Sequence, residues 1–185
     1  DLWKDVIMDN WREIKREKLL PEEIYKAGIK FEFKDTFFEI SHSYNDLYLW
    51  DSTDIEQLYS PYRQNFWKTS FILNSKIILT EEMKLFFNLQ KDIFDRDIVY
   101  LPAETFEGGI EFKNKNFAFK IYNSYTGKRK FSTGTAEGFS LLNFEISYKS
   151  KFEIGAGVYN VLNKEYEIVP YYPGEKRKIL IWIKF

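Results

Sequence analysis

At 185 residues the chain has room for one domain, and it is rich in aromatic side chains (19%) at a mean hydropathy of only -0.43. Its 27 basic and 28 acidic residues leave a net charge of -1 with no basic stripe, which argues against a nucleic-acid partner. Cysteine is absent, which excludes a disulfide framework, a thiolate metal site and a cysteine nucleophile. No apolar run approaches the ~20 residues of a spanning helix, but membrane strands alternate and dilute hydropathy, so they stay open.

The chain starts at Asp1 and shows no signal peptide, so it is expected to be a piece of something longer or a processed product. Leu2, Trp3, Val6, Ile7, Trp11 and Ile14 recur at helical spacing and predict a short helix over Leu2–Lys18, ended before Pro21. Residues 1–22 are read as a loop or helix segment. From residue 23 the period changes to two. About nine alternating strands are expected: Glu23–Lys34, Phe37–Leu49, Phe66–Leu79, Glu82–Lys91, Thr105–Lys113, Asn116–Tyr125, Phe139–Lys149, Lys151–Leu162 and Arg177–Phe185.

The connections alternate strictly between two classes. Lys34–Thr36, Thr80–Glu82, Lys113–Asn116 and Lys149–Lys151 are short and polar, whereas Tyr48–Asn65, Asp92–Glu104, Thr126–Gly138 and Asn163–Lys176 are long. Transmembrane β-barrels have short turns on one side and long loops on the other. The strand faces alternate too: Tyr25, Ala27, Ile29, Phe31 and Phe33 oppose Lys26, Gly28, Lys30 and Glu32. A soluble sandwich gives the same alternation. The aromatic load, the two classes of connection and the end of the chain favour the barrel. In the last strand Ile179, Ile181, Ile183 and Phe185 share one face, and Lys178 and Lys184 the other.

That terminal aromatic strand resembles the C-terminus of bacterial outer-membrane barrels, and several blocks resemble TonB-dependent outer-membrane receptors in particular. Val158-Tyr159-Asn160-Val161-Leu162-Asn163-Lys164-Glu165-Tyr166 is similar to that family's V-x-N-L-F-[DN]-K-x-Y. Val161-Leu162 stand there where the family has Leu-Phe, and Tyr171-Tyr172-Pro173-Gly174-Glu175-Lys176-Arg177 stands where it has G-Y-P-x-P-G-R. Leu20-Pro21-Glu22 with Tyr25–Lys30, Tyr44-Asn45-Asp46, Pro102–Ile110 (Glu104 where His is common) and Tyr125–Arg129 extend the resemblance over residues 20–185. The blocks fall in the family's order.

The resemblance implies an all-β fold: an antiparallel transmembrane β-barrel segment, about nine strands of a larger 22-stranded barrel built around a plug, with residues 23–185 supplying the C-terminal strands. It implies a cell outer membrane location and a transport role, the uptake of a scarce nutrient such as a ferric siderophore or cobalamin, rather than an enzyme. The implied partners are outer-membrane lipid, a small-molecule substrate, the barrel assembly machinery, and the plug domain and TonB through an N-terminal part. Short turns would face the periplasm and long loops the outside. Trp182 and Phe185 would form the C-terminal assembly signal. The alternatives are a small self-contained outer-membrane barrel with a structural or adhesive role, an outer-membrane enzyme, which the missing triad disfavours, and a soluble ligand-binding β-sandwich.

The candidate chemistry is sparse. Tyr48, Trp50, Tyr59, Tyr62 and Trp67 crowd the first long connection, either as an interfacial girdle or, for Trp50, Tyr59 and Tyr62, as substrate contacts. His42 is the single histidine, on the apolar parity, and is expected near a rim or at a bulge. Asp92, Asp95 and Asp97 could offer oxygen ligands but fit no calcium-loop spacing, so a solvated run is expected. Lys26, Lys30, Glu32, Glu39, Lys76, Lys84, Glu107, Glu111, Lys120, Glu145 and Glu153 are assigned to the lumen face, and their mixed signs do not suit a single-sign ion filter. Gly108, Gly109, Gly155 and Gly157 are expected to mark bends or close backbone approach. No catalytic constellation, metal site or cofactor motif is found.

Overall fold

A computed structural model of the chain describes residues 22–51, 60–131 and 133–184. The helix expected over Leu2–Lys18 lies outside the described residues, as does Phe185. In chain order the strands are β1 (Glu23–Phe33), β2 (Thr36–Asp51), β3 (Ser60–Ile78), β4 (Met83–Phe94), β5 (Glu104–Lys113) and β6 (Phe117–Thr126). Two three-residue strands follow, β7 (Arg129–Phe131) and β8 (Gly134–Ala136), then β9 (Phe139–Lys149) and β10 (Glu153–Tyr159). The last are β11 (Glu167–Val169), β12 (Tyr172–Pro173) and β13 (Lys178–Lys184).

The nine long strands form one sheet in the order β1-β2-β3-β4-β5-β6-β9-β10-β13, with every neighbour antiparallel. It is a meander: each long strand pairs with the next long one along the chain. All nine strands expected from the period-two pattern are present. Among the described residues the sheet is open, with β1 and β13 at its edges. The short connections are turns closed by their own side chains. Asn114 Oδ1 accepts from the backbone N–H of Asn116 (3.0 Å) and of Phe117 (2.8 Å), and Thr80 Oγ1 from that of Met83 (3.0 Å).

Two expectations about the long connections are corrected. Tyr48–Asn65 is not a loop throughout, because the β2–β3 ladder runs on to Asp51↔Ser60. Tyr48, Trp50 and Tyr62 are good strand formers, and they carry the hairpin past the length needed to span a bilayer. The other correction is that two long connections contain hairpins of their own. β7 pairs with β8 inside Thr126–Gly138, and β11 with β12 inside Asn163–Lys176.

The register carries each face across the sheet. The row Gly28↔Ser41↔Ser70↔Asp92 stays on one side, as does Glu111↔Lys120↔Glu145↔Gly157↔Leu180. All eleven charged residues assigned from the sequence to the lumen face fall on this side. The opposite side carries Ile29, Ile40, Phe71, Phe106, Ile121, Ile146 and Ile181.

Burial is inverted relative to a soluble sheet. Ser41, Ser43, Asn45, Ser70 and Asn143 on the polar face are buried, while Ile29 is 63% and Ile181 76% exposed on the apolar face. The soluble-sandwich alternative requires the apolar face to be covered. Among the described residues nothing covers it. Aromatic clusters mark its two ends. Tyr25, Tyr44 and Trp67 meet near the long connections, with Tyr44 and Trp67 edge-on at 5.3 Å, and Phe117 lies 4.8 Å from Tyr148 beside the short turns. Such paired belts suit the two interfaces of a bilayer.

Candidate functional site

The polar face is built from side chains that neutralise and support one another across strands. Lys26 Nζ lies 2.5 Å from Glu39, Lys120 Nζ 3.1 Å from Glu107, and Lys184 Nζ 3.5 Å from Glu153. Lys120 also stands over the rings of Phe86 and Tyr122, at 4.4 and 4.1 Å from their centroids. The Tyr122 and Tyr159 hydroxyls both donate to Glu145 Oε1 at 3.1 Å. Positive and negative groups alternate, so this face has hydrogen-bonding capacity in both senses and no single-sign field. It can hold a polar partner or a hydrated ligand.

At one end the long connections fold back over this face. In the segment between β4 and β5, Ile98 is buried against Phe66, Leu47 and Phe94, all of polar-face parity. The same segment then joins the β7–β8 hairpin. Val99 bridges Lys130 in parallel, the Tyr100 N–H donates to the Lys130 carbonyl (2.8 Å), and Lys130 Nζ lies 2.6 Å from Asp97. The β7–β8 hairpin in turn packs on β11–β12 through Phe131, Ala136, Val169 and Tyr172. Arg129 fixes that contact: its Nη2 donates to the Glu167 carbonyl at 2.9 Å and its guanidinium stands over Phe139 at 5.3 Å. Burial pulls the Arg129 guanidinium below its ordinary range, opposed by nearby Tyr100 and Tyr166, and it stays protonated. Three of the long connections thus form one tied cap.

The block 158–166 that carried the resemblance proves to be a turn. Asn160 takes a left-handed φ of 52° and is buried. Its Nδ2 donates to the carbonyls of Lys164 (2.8 Å) and Glu175 (3.3 Å), and its Oδ1 accepts the Lys164 N–H (2.8 Å). Asn tolerates this conformation, which is why β10 stops at Tyr159 rather than reaching Leu162 as expected. Asn163, with φ 52°, accepts the Arg177 N–H at 2.9 Å and so leads the chain into β13. A Cβ on Gly174 would sit inside 3.0 Å of the Tyr166 ring, so the block's aromatic and its glycine pack as one unit.

The residues singled out from the sequence fall in separate places. Tyr59 and Phe185 lie outside the described residues. Trp50 and Tyr62 pair in the β2–β3 ladder, opposite Pro61 and Leu49. Trp182 lies on the polar face, its indole lying across Gly155, away from the row of Ile179, Ile181 and Ile183. His42 is in regular register between Ala27 and Thr69, not at a bulge. Its Nδ1 is 3.0 Å from Thr69 Oγ1 and its ring stacks on Trp67 at 4.9 Å, within the aromatic cluster at that end. The three aspartates part company. Asp92 is buried beside Gln90 and Lys68, Asp95 accepts the Trp67 N–H, and Asp97 pairs with Lys130, so the solvated run expected of them is corrected at Asp92. The sequence reading missed Arg129 and Lys130 as the ties of the cap. The one signal available was the Tyr-x-Gly-x-Arg spacing ending at Arg129.

No family model matches the sequence and no curated protein does. The fold matches solved structures well. The copper transporter OprC superposes over 91% of this chain and 31% of its own, with a TM-score of 0.67 at 14% identity. BauA, the ferric preacinetobactin receptor from Acinetobacter baumannii, superposes over 88% and 29%, with a TM-score of 0.61 at 13% identity. The ferripyoverdine receptor of the outer membrane of Pseudomonas aeruginosa superposes over 89% and 27%, with a TM-score of 0.60 at 14% identity. These matches are TonB-dependent outer-membrane receptors, and the likeness is one of fold. The chain spans less than a third of the length of each of these three.

Proposed function

We propose that this chain forms C-terminal wall strands and part of the outer mouth of a TonB-dependent outer-membrane receptor. The receptor imports a scarce nutrient such as a ferric siderophore or cobalamin. The observation that carries this reading is the inverted sheet: apolar side chains exposed on one face, small polar ones buried on the other, and three of the long connections folded over the polar side. A barrel wall needs lipid-facing apolar residues and a hydrated lumen, and an importer needs loops that converge on the lumen mouth. The fold likeness to receptors for iron chelates and to a copper transporter supports it.

In this reading 22 strands close the barrel, the paired charges of the polar face surround a plug domain, and energy coupling comes from TonB through that plug. Trp50, Tyr59 and Tyr62 contact the substrate. Trp182 and Phe185 belong to the strand that the barrel assembly machinery reads. The chain works by binding and passage, with no catalytic step. The test is growth of cells lacking the full-length gene on single nutrient sources, ferric enterobactin, ferripyoverdine, cupric ion and cobalamin, with and without the restored gene. Gene-dependent growth on one source supports import. Growth that is equal on every source, with the protein assembled in the outer membrane, overturns it in favour of a structural barrel.

A further inference from the structure

The two ends of the sheet treat their lysines differently. At the end of the long connections, exposed lysines are paired: Lys91 with Glu104 (2.8 Å), Lys128 with Glu137 (2.8 Å), Lys130 with Asp97 (2.6 Å) and Lys178 with Glu175 (3.1 Å). At the short turns Lys113, Lys115, Lys149 and Lys151 are also exposed. Their side chains make no ion pair, hydrogen bond or ring contact among the described residues.

These four lysines are brought together by the fold. β6 and β9 are neighbours, so the β5–β6 and β9–β10 turns lie side by side. The two turns are joined: the Lys149 N–H donates to the Asn116 carbonyl (2.7 Å), and Asn116 Nδ2 donates to the Lys149 carbonyl (2.9 Å). Four like charges on a fixed mount repel one another, and an anion among them relieves that repulsion. The acidic side chains of the neighbouring β3–β4 turn are Glu81 and Glu82, and Glu153 is taken by Lys184.

The patch borders on apolar surface. Phe117 and Tyr148, 4.8 Å apart on the apolar face, are 50% and 44% exposed. A groove of about 460 Å³ runs between this ring pair and the turns, lined by Glu82, Asn114, Lys115, Asn116, Phe117 and Tyr148. Its wall is thus aromatic toward the apolar face, and cationic and amide toward the β5–β6 turn. An anionic amphiphile matches that order, with acyl chains along the rings and a phosphate among the ammonium groups. An acidic polypeptide matches the lysines but leaves the rings in water.

We infer that the paired turns 113–116 and 149–151 form a headgroup site for an anionic phospholipid of the leaflet on the short-turn side. This rests on the reading of the sheet as a membrane-spanning wall. Lysine stems lie along apolar surface while their ammonium groups reach the headgroups. Each lysine near an anionic surface strengthens binding about fivefold.

The test uses the full-length receptor in neutral detergent, with bound lipid counted by native mass spectrometry. The wild type is expected to retain phosphatidylglycerol in preference to phosphatidylcholine, and less of it as ammonium acetate is raised. Lys113→Gln, Lys115→Gln, Lys149→Gln and Lys151→Gln together are expected to weaken phosphatidylglycerol binding about tenfold or more. Arginine at the same four positions is expected to keep it. Equal retention of the two lipids by the wild type, or unchanged retention of phosphatidylglycerol by the Gln variant, overturns the inference and leaves the wall reading standing. Displacement of phosphatidylglycerol by equimolar inorganic phosphate assigns the site to free phosphate, and preference for polyglutamate assigns it to an acidic polypeptide; either result overturns the lipid site. If the fourfold Gln variant does not assemble as heat-modifiable barrel, the pairs K113Q/K115Q and K149Q/K151Q carry the comparison. Failure of both pairs to assemble gives the lysines to folding and overturns the inference. A full-length protein that is soluble and monomeric without detergent overturns the wall reading, and this inference with it.

Discussion

Adding one methyl group at Gly155 tests whether the side chains of the closing strands interlock as described. Gly155 faces Trp182 across the β10–β13 ladder and Ser147 across β9–β10. A Cβ built on it lies inside 3.0 Å of Cε2, Cζ2 and Nε1 of the indole, a rigid bicyclic ring that cannot bend aside. Trp182 must therefore shift as a body or β13 must move, and overpacking of this kind costs about 1–3 kcal/mol. In a Trp182→Ala background the clash is gone. There Gly155→Ala should be neutral or stabilising by about 0.5–1 kcal/mol, since glycine is entropically poor in a strand. The two effects differ, so the double-mutant cycle should give a coupling of about 1–4 kcal/mol. Urea unfolding of the refolded receptor in lipid vesicles, followed as the heat-modifiable fraction on gels, measures all four corners. Equal effects of Gly155→Ala in both backgrounds would refute the stacked arrangement.

Asn160→Ala removes three hydrogen bonds at about 1 kcal/mol each and leaves a Cβ residue in the left-handed region at about 1 kcal/mol more, so unfolding should become easier by about 3–4 kcal/mol. Asn160→Gly should recover about 1 kcal/mol of that; a loss below 1 kcal/mol for the alanine variant would contradict the turn. Because the chain has no cysteine, Glu137→Cys and Ser150→Cys can be labelled singly on intact cells with an impermeant maleimide. Glu137 should react and Ser150 should not, and the reverse result would invert the topology. Deleting Phe185 should lower the amount of heat-modifiable barrel in the membrane; unchanged assembly would make the terminus incidental. Replacing Trp50 and Tyr59 by Ala should weaken uptake and spare assembly if they touch substrate, whereas loss of heat stability with intact affinity would make them girdle residues.

The parts that were legible in the sequence share a physical cause. Strand existence and facing follow from the period of two, which each strand states on its own. Lys26, Glu39, Lys120 and Glu145 could be placed on one side without knowing any neighbour. Register supplies the rest once the short turns fix it. The cap was not legible in the same way. Arg129, Asp97, Lys130 and Glu167 come from three different connections, and nothing local marks Arg129 as the residue that would reach the Glu167 carbonyl. Nor does a three-residue strand such as β8 or β11 carry enough alternation to be read. Its pairing is stabilised by Phe131, Ala136 and Val169 closing on one another, a tertiary event.

The block 158–166 carried the resemblance, and in the structure its residues serve the turn. Asn160 is held by geometry: it caps a left-handed turn with three hydrogen bonds and sends the chain across to β13. The resemblance carried by that block therefore rests on residues that hold the β10–β13 connection together. Trp182 is placed in the same way: its indole lies across Gly155 on the polar face, so packing within the sheet accounts for its position.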